Sequence, residues 1–319
     1  MIAPPPRRAR NIALLAAAAA SWGFGTVVSK QAVAELPPLT LLVSQLGISV
    51  VVMAVIVRVR GERLPATREG RLLGRLGLLN PGLAYALSLI GLTGITASLA
   101  VLLWATEPIL ILALAAALLG ERVGGLVSAA SAVAIAGLVL VVAEPATGGS
   151  GVGVALTVAG VVVCALYTVL TRRWILGTDA TFPIVLSQQI HALGLIAGVT
   201  VVATAIGQAV LPARLTLAGA ASAAVSGLLY YALAYSCYLT ALREVRAPIA
   251  AAAFYLIPVF GIAGAWLTGE RLGATQWVGA AIVVASVVVI TTRTAERAQP
   301  SSAAASTQIP MTPSASSRR

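Results

Sequence analysis

Long apolar stretches alternate along the chain with short polar or glycine-rich joins. Ten such stretches lie near residues 11–34, 38–57, 72–91, 95–119, 124–143, 151–171, 182–206, 217–242, 247–268 and 274–292. At about 1.5 Å of rise per residue, about 20 apolar residues cross a hydrocarbon core as one helix. The pattern therefore predicts an all-α integral membrane protein with ten transmembrane helices. The joins after the third and fourth stretches are only a few residues long, marked by Gly91 and Gly94, then by Gly120, Gly124 and Gly125. Outside the apolar part, residues 1–10 hold three prolines and three arginines and read as a basic, disordered arm. Residues 144–150 read as a linker, and the Ser, Ala, Thr and Pro-rich residues 293–319 as a disordered tail.

The chain also nearly repeats itself. Pro108 opens an apolar run that ends in Gly120-Glu121-Arg122, and Pro258 opens another that ends in Gly269-Glu270-Arg271. Leu83-Ala84-Tyr85 returns as Leu233-Ala234-Tyr235, and both this triplet and the proline recur at an offset of 150 residues. Together these echoes indicate internal duplication, with five-helix repeats over 11–143 and 151–292. Five is an odd number of crossings, so the second repeat enters the membrane upside down relative to the first. Inverted repeats of this kind build many secondary transporters, whose substrate sites lie near the midplane where the repeats meet.

Composition agrees with lipid as the solvent: 59% of residues are hydrophobic, 10% are charged and the mean hydropathy is +0.97. The net charge of +11 and pI near 10.8 raise the question of nucleic acid. The arginines answer it, because they sit between apolar blocks rather than along one aromatic-interleaved face. Placing the N-terminus inside puts 18 of the 21 Lys and Arg residues on the cytoplasmic side, leaving Lys30, Arg214 and Arg271 outside. That asymmetry predicts a multi-pass protein of the plasma (cytoplasmic) membrane with both termini cytoplasmic. Arg122 and its echo Arg271 then fall on opposite faces, as inversion requires. The first apolar block, running to about Ala34, is too long for a signal-peptide core and reads as a retained span. Cys164 and Cys237 both lie in apolar runs, which argues against a disulfide framework.

Against this apolar background a few polar residues stand out. Glu107 is the one acidic residue well inside a predicted span, about twelve residues into the fourth, and Pro108 follows it. An intramembrane carboxylate costs at least about 2.5–3.5 kcal/mol unless it is paired, hydrated or protonated. Glu107 thus reads as a protonatable site or an anchor for a substrate ammonium group; the alternative is a paired structural residue at a kink. Pro108 and its echo Pro258 read as helix-bending residues, because a mid-helix proline removes a backbone hydrogen bond. Lys30, the sole lysine, either receives a substrate carboxylate, pairs with Glu107 or extends to the interface. Trp22 and Trp104 either wall a cavity or face core and lipid. His191, the sole histidine, lies in the polar string from Ser187 and is either a proton relay or an interhelical hydrogen-bonder. Gln188 in that string, and Gln45 in the second span, are the better candidates to hydrogen-bond a substrate. Tyr85 and its echo Tyr235 are further candidates. Tyr231, Tyr235 and Tyr238 share a helical face, as either an aromatic cavity wall or helix packing. The two Gly-Glu-Arg corners read as helix ends capped by glycine, with a gating ion pair as the alternative.

These features together resemble the drug/metabolite transporter superfamily, and within it the two-repeat, ten-helix EamA-type members. The resemblance rests on Trp22-Gly23 followed by Lys30, on Glu107-Pro108 followed by Gly120-Glu121-Arg122, on Ala165-Leu166-Tyr167-Thr168, and on Pro258 followed by Gly269-Glu270-Arg271. It covers about residues 11–292. It implies a ten-helix bundle with both termini cytoplasmic, and export of amino acids or related small metabolites. The sequence departs from the family pattern at Ile257, where the second repeat often carries a Glu before its proline. The Pro-to-Glu spacing is also 13 in the first copy and 12 in the second. One residue turns a helix face by about 100°.

Other chemistries lack their residues. The sole lysine has no Gly-rich phosphate loop around it, so the chain carries no P-loop of its own. One histidine and two separated cysteines offer no zinc set, and Asp179 lies too far from His191 for a Ser-His-Asp system. The expectation is therefore a secondary transporter rather than an enzyme. It needs no cofactor, and its partners are a small-molecule substrate and membrane lipid. The alternative is a channel-like or receptor-like multi-span protein, although no filter loop or ring of like charge is present.

Overall fold

The computed structural model describes residues 7–120, 124–142, 150–172, 181–212, 214, 216–242, 254 and 256–297. Glu121, Arg122, Asp179, Arg243, Arg246 and Tyr255 lie outside the described residues, as do most of the arm, the linker and the tail. Among the described residues the regular elements are all helical. α1 spans Arg7–Ala32, α2 Pro38–Val59, α3 Arg68–Arg75, α4 Ala84–Thr93, α5 Ala97–Trp104 and α6 Glu107–Leu119. The first half closes with α7, Gly125–Val142; the second begins with α8, Gly151–Arg172, and α9, Thr181–Ala205. It continues through α10, Leu217–Gly227, α11, Ala234–Leu242, α12, Leu256–Leu267, and α13, Ala274–Arg297. The first and last helices reach further than their apolar blocks. Residues 7–10 of the predicted arm and 293–297 of the predicted tail are helical, in keeping with the high helix propensity of their Ala and Arg residues.

Seven helical stretches are long and apolar enough to cross a membrane: α1, α2, α3 through α4, α5 through α6, α8, α9, and α10 through α11. Shorter apolar helices, Ser128–Val141, Leu256–Leu267 and Ala274–Ile290, occupy the fifth, ninth and tenth apolar blocks. Polarity is arranged as lipid demands, with apolar side chains outward and polar ones inward. Val51, Val55, Val133, Val139 and Val201 are exposed, whereas Gln45, Ser49, Gln189, Ser226 and Gln276 are 1% exposed or less. The buried polar groups bind across helices: Gln45 Nε2 donates to Ser29 Oγ (3.0 Å) and Ser226 Oγ (2.7 Å), and Ser49 Oγ donates to Gln189 Oε1 (2.7 Å).

Two blocks expected as continuous helices are interrupted. The third unwinds between α3 and α4, where Asn80 takes φ −137°, ψ 119° inside the wide turn Leu79–Leu83. Pro81 is the cause, because the ring of a proline pushes the preceding residue out of the helical region. The fourth breaks at Ala105-Thr106, so Glu107 and Pro108 open α6 instead of lying mid-helix. Pro108 therefore occupies the first turn, where its missing N–H would have had no partner anyway. A second wide turn, Leu228–Leu233, joins α10 to α11. It stands at the duplicate of Leu79–Leu83, so the repeated sequence carries a repeated backbone irregularity. The extra residue per turn brings both Tyr230 and Tyr231 against Tyr85, at ring-centroid distances of 5.2 and 5.4 Å.

The main helix pairings join the two halves: α1 with α12 and with α10 and α11, α8 with α4 and α6, α2 with α9, and α7 with α13. Small residues bring these helices close. A methyl on Gly153 of α8 would sit 2.8 Å from the Gly91 carbonyl of α4, and one on Gly160 would crowd Ala84 and Ser88. At the corners, Gly120 and Gly269 take φ of 67° and 100°, a left-handed conformation that glycine adopts freely.

Candidate functional site

The breaks in the third and fourth blocks and the wide turn in the eighth converge on one cavity of about 480 Å³, within the range of about 300–1,000 Å³ typical of small-molecule sites. α1 contributes Trp22 and Thr26, and the unwound turn contributes Asn80, followed by Tyr85 of α4. The α5–α6 break supplies Val101, Trp104, Glu107 and Pro108. One face of α8 supplies Cys164, Tyr167 and Thr168, spaced i, i+3, i+4 as one helical face requires. The remaining wall comes from Tyr230, Tyr235 and Tyr238 with Phe254, Ile257 and Pro258.

Two groups of aromatic rings shape this space. Tyr85 stacks on Trp104, with centroids 5.2 Å apart and planes 15° from parallel. Opposite them, Trp22 meets Tyr235 edge-on at 5.6 Å, and Tyr238 and Phe254 close the group. Such contacts add rigidity beyond their buried area. Among the described residues Glu107 is the only charged group in the wall. Its Oε1 accepts from Cys164 Sγ (3.3 Å) and Thr168 Oγ1 (3.5 Å), both from the other half of the chain. Its Oε2 accepts no hydrogen bond from a described residue, and no described basic side chain pairs with the carboxylate. As the first residue of α6, Glu107 also sits where free backbone N–H groups and the helix dipole favour an acid.

Of the residues singled out in the sequence, Trp22, Tyr85, Trp104, Glu107, Pro108, Tyr235 and Pro258 meet in this wall. Lys30, Gln45, Gln188 and His191 do not. Lys30 instead donates to the Leu92 (2.8 Å) and Thr93 (3.5 Å) carbonyls at the end of α4. Gln45 is spent on Ser29 and Ser226. Gln188 donates to the Leu73 carbonyl (3.1 Å) and accepts from Tyr167 OH (3.1 Å), so it stands one side chain behind the wall. His191 Nδ1 lies 2.7 Å from the Ser187 carbonyl of its own helix. Tyr231 is buried behind the wall, and the wide turn substitutes Tyr230 for it. Asn80, Thr26, Cys164 and Phe254 were not singled out from sequence. For Asn80 the signal was there, as a polar residue before proline inside an apolar block. Glu270 was read as a corner residue, and its role is longer-range. Its carboxylate accepts from Ala97 N (2.8 Å), Ser98 N (3.0 Å) and Ser98 Oγ (2.8 Å) at the start of α5.

A duplicated, all-helical chain with membrane-length helices and a cavity shared between its halves defines a multi-pass membrane protein of transporter type. The chain belongs to the EamA-like transporter family, which matches residues 10–143 and, a second time, 151–292. That family lies within the drug/metabolite transporters, and its members are membrane transporters. No curated protein matches the chain. Among solved structures, one described as "Crystal structure of protein" superposes with a TM-score of 0.62 at 18% identity, covering 90% of this chain and 99% of its own. That likeness is one of fold.

Proposed function

We propose that the protein is a secondary transporter of the cytoplasmic membrane that exports small, amine-bearing metabolites, amino acids and their relatives among them. It works by alternating access around the Glu107 cavity, with ten spans in two inverted repeats and both termini cytoplasmic. The observation that carries the reading is a carboxylate with one oxygen that accepts no hydrogen bond from a described residue, in a cavity built by both halves of the chain.

The pairing of the helices supports a repeat whose halves are related by a two-fold axis. A shift of about 150 residues exchanges the first span with the sixth, the third with the eighth and the fourth with the ninth. Under that exchange α8 with α4 becomes α1 with α11, and α8 with α6 becomes α1 with α12. Both members of each pair are present. Rocking about such a two-fold axis exposes one central site to either side in turn.

With the N-terminus inside, Tyr235, Tyr238 and Phe254 form the cytoplasmic side of the cavity wall. At the outer end Lys30 and Glu270 fix the two sides of the α4–α5 hairpin, a clamp suited to closing that end. In the cycle, a substrate ammonium entering from inside takes the place of a proton on Glu107. The clamp releases, the halves rock and the substrate leaves outward. A proton from outside then re-enters Glu107 and returns with the empty carrier. Each turn exchanges one ammonium for one proton, so an inward proton gradient drives export.

Counterflow in proteoliposomes tests this. Unlabelled substrate on the far side accelerates labelled flux through a carrier, and Glu107→Gln lowers that flux while the protein stays folded. Flux that rises linearly with concentration and shows no such acceleration identifies a channel instead. A chemically altered product identifies an enzyme.

A further inference from the structure

Gln45 and Gln188 are counterparts in the two repeats. Each follows a serine, as Ser44-Gln45 and Ser187-Gln188, and each stands seven residues after the start of its helix, Pro38 of α2 and Thr181 of α9. Gln45 binds α1 and α10, through Ser29 and Ser226. Gln188 binds α8 and α3, accepting from Tyr167 OH (3.1 Å) and donating through Nε2 to the Leu73 carbonyl (3.1 Å). Exchanging the first span with the sixth, and the third with the eighth, turns one set of partners into the other.

A glycine of the opposite repeat packs on each glutamine. A methyl on Gly77 would overlap the Gln188 backbone, and one on Gly227, 150 positions later, would lie 2.8 Å from Gln45 Cα. The wide turns Leu79–Leu83 and Leu228–Leu233 begin within two residues of these glycines. Backbone packed on backbone has no side chain to give way, and both glutamines are too buried to trade their partners for water. Each repeat's wide turn thus starts from a fixed seat that the other repeat provides.

The copies differ in one respect. Both turns reach the cavity, at Asn80 and at Tyr230, but neither Ser29 nor Ser226 lines it, whereas Tyr167 does. Only Gln188 therefore joins its turn to a side chain of the wall. We propose that Gln188 is a positioning residue of the cavity, tying the Asn80 turn of the first repeat to Tyr167 of the second, and that Gln45 is its duplicate without that tie. On the transporter reading, from which the role takes its meaning, the tie keeps the two repeats' shares of the wall in register as the halves rock.

The test uses full-length protein in proteoliposomes and two readouts that need no substrate. Amide hydrogen exchange follows the turns. Gln188→Leu is expected to quicken exchange across residues 76–83 by about 2–10-fold, and Gln45→Leu to do the same across 226–233, each leaving the other turn unchanged. The second readout is alkylation of Cys164 by iodoacetamide in a Cys237→Ser background, where it is the sole cysteine. Cys164 lies one helical turn from Tyr167 on the same face of α8. Gln188→Leu and Tyr167→Phe each alkylate about 2–10-fold faster, because one hydrogen bond no longer holds the ring. The double variant is no faster than the quicker single one, and Gln45→Leu keeps the wild-type rate. Tyr167→Phe retains the ring, so it decides the matter should Gln188→Leu fail to fold. Wild-type alkylation in Tyr167→Phe overturns the proposal. So do rates that multiply in the double variant, or exchange that quickens throughout the chain in either glutamine variant. Counterflow of phenylalanine and 2-phenylethylammonium is measured in parallel. A wild type that carries neither counts against the transporter reading, and the exchange and alkylation results still decide the role of Gln188.

Discussion

Glu270 holds Ser98 twice, accepting its backbone N–H at 3.0 Å and its hydroxyl at 2.8 Å across 172 positions of sequence. With the Ala97 N–H as a third donor, the second repeat's corner acid satisfies the amides at the start of the first repeat's α5. A helix N-terminus leaves such amides unsatisfied, and a carboxylate there answers both the donors and the dipole. Glu270→Ala is expected to cost about 1–3 kcal/mol and to lower the melting temperature in detergent. Glu270→Gln, which keeps one acceptor oxygen, costs less. An Ala variant that melts with the wild type would show that the contact does not hold the hairpin.

Lys30 grips the other end of the same hairpin, at Leu92 and Thr93, with Glu270 as its electrostatic neighbour. Two residues holding one element are coupled, so their losses should not add. Lys30→Met alone and Glu270→Ala alone each loosen Gly94–Thr96. The double variant is expected to fall short of the sum by about 0.5–3 kcal/mol in a thermal or denaturant double-mutant cycle. Additive losses would mean that the two act on separate elements.

The sequence reading of Gln45 can be tested on the same footing. It was a candidate substrate contact, but its amide donates to Ser29 and Ser226, tying α2 to α1 and α10. Gln45→Leu is therefore expected to lower stability by about 1–3 kcal/mol, because the two hydroxyls lose the donor they share. Substrate affinity should not change. A rise in KM with an unchanged melting temperature would return Gln45 to the site.

The residues that could be read ahead and those that could not divide along a physical line. Apolar blocks of span length are local, and they emerged as helices; so did the duplicated Leu-Ala-Tyr, whose tyrosines both reach the cavity. Glu107 stood out because an acid in an apolar run is costly wherever its helix packs. The breaks were half-legible. Asn80-Pro81 and Glu107-Pro108 carry the proline signal, but a proline marks either a kink within a helix or the start of a new one. Tertiary packing decides between them, and here it made Pro108 a starting residue. Tyr230 replaced Tyr231 because the wide turn Leu228–Leu233 shifts the face, and no proline announces that turn. Lys30, Gln45 and Glu270 were the least legible, since their partners lie 62, 181 and 172 positions away.

Close approach between the unwound third block and α9 gives a steric prediction. A methyl on Gly77 would run into the Gln188 backbone, which cannot swing aside as a side chain does, whereas one on Gly125 at the start of α7 meets nothing within 4 Å. Gly77→Ala is expected to cost at least about 1–3 kcal/mol through overpacking, and to reduce the folded yield. Gly125→Ala should be neutral or slightly stabilising, since alanine is the better helix former. Equal yields of the two variants would mean that the third block and α9 are further apart than the structure places them.

The proposed exchange makes Glu107 serve proton and substrate by turns, and that fixes a sign for pH. Below the pH at which the site titrates in the carrier, Glu107 is protonated and an ammonium has no anion to meet. Apparent substrate affinity must then weaken as the cytoplasmic-side pH falls, by up to about tenfold per unit while one proton competes with one cation. Above that pH the carboxylate is open and affinity levels off. Glu107→Gln holds the site in the neutral form at every pH, so its affinity should be low and flat. It should still permit slow, uncoupled exchange that an imposed pH gradient does not drive. Proteoliposomes with KM measured over several pH values, for wild type and Glu107→Gln, give both curves. A sloping curve for the Gln variant would place the proton on another group. A flat curve for the wild type would mean that transport runs down the metabolite gradient alone, with Glu107 as a fixed anchor for the ammonium.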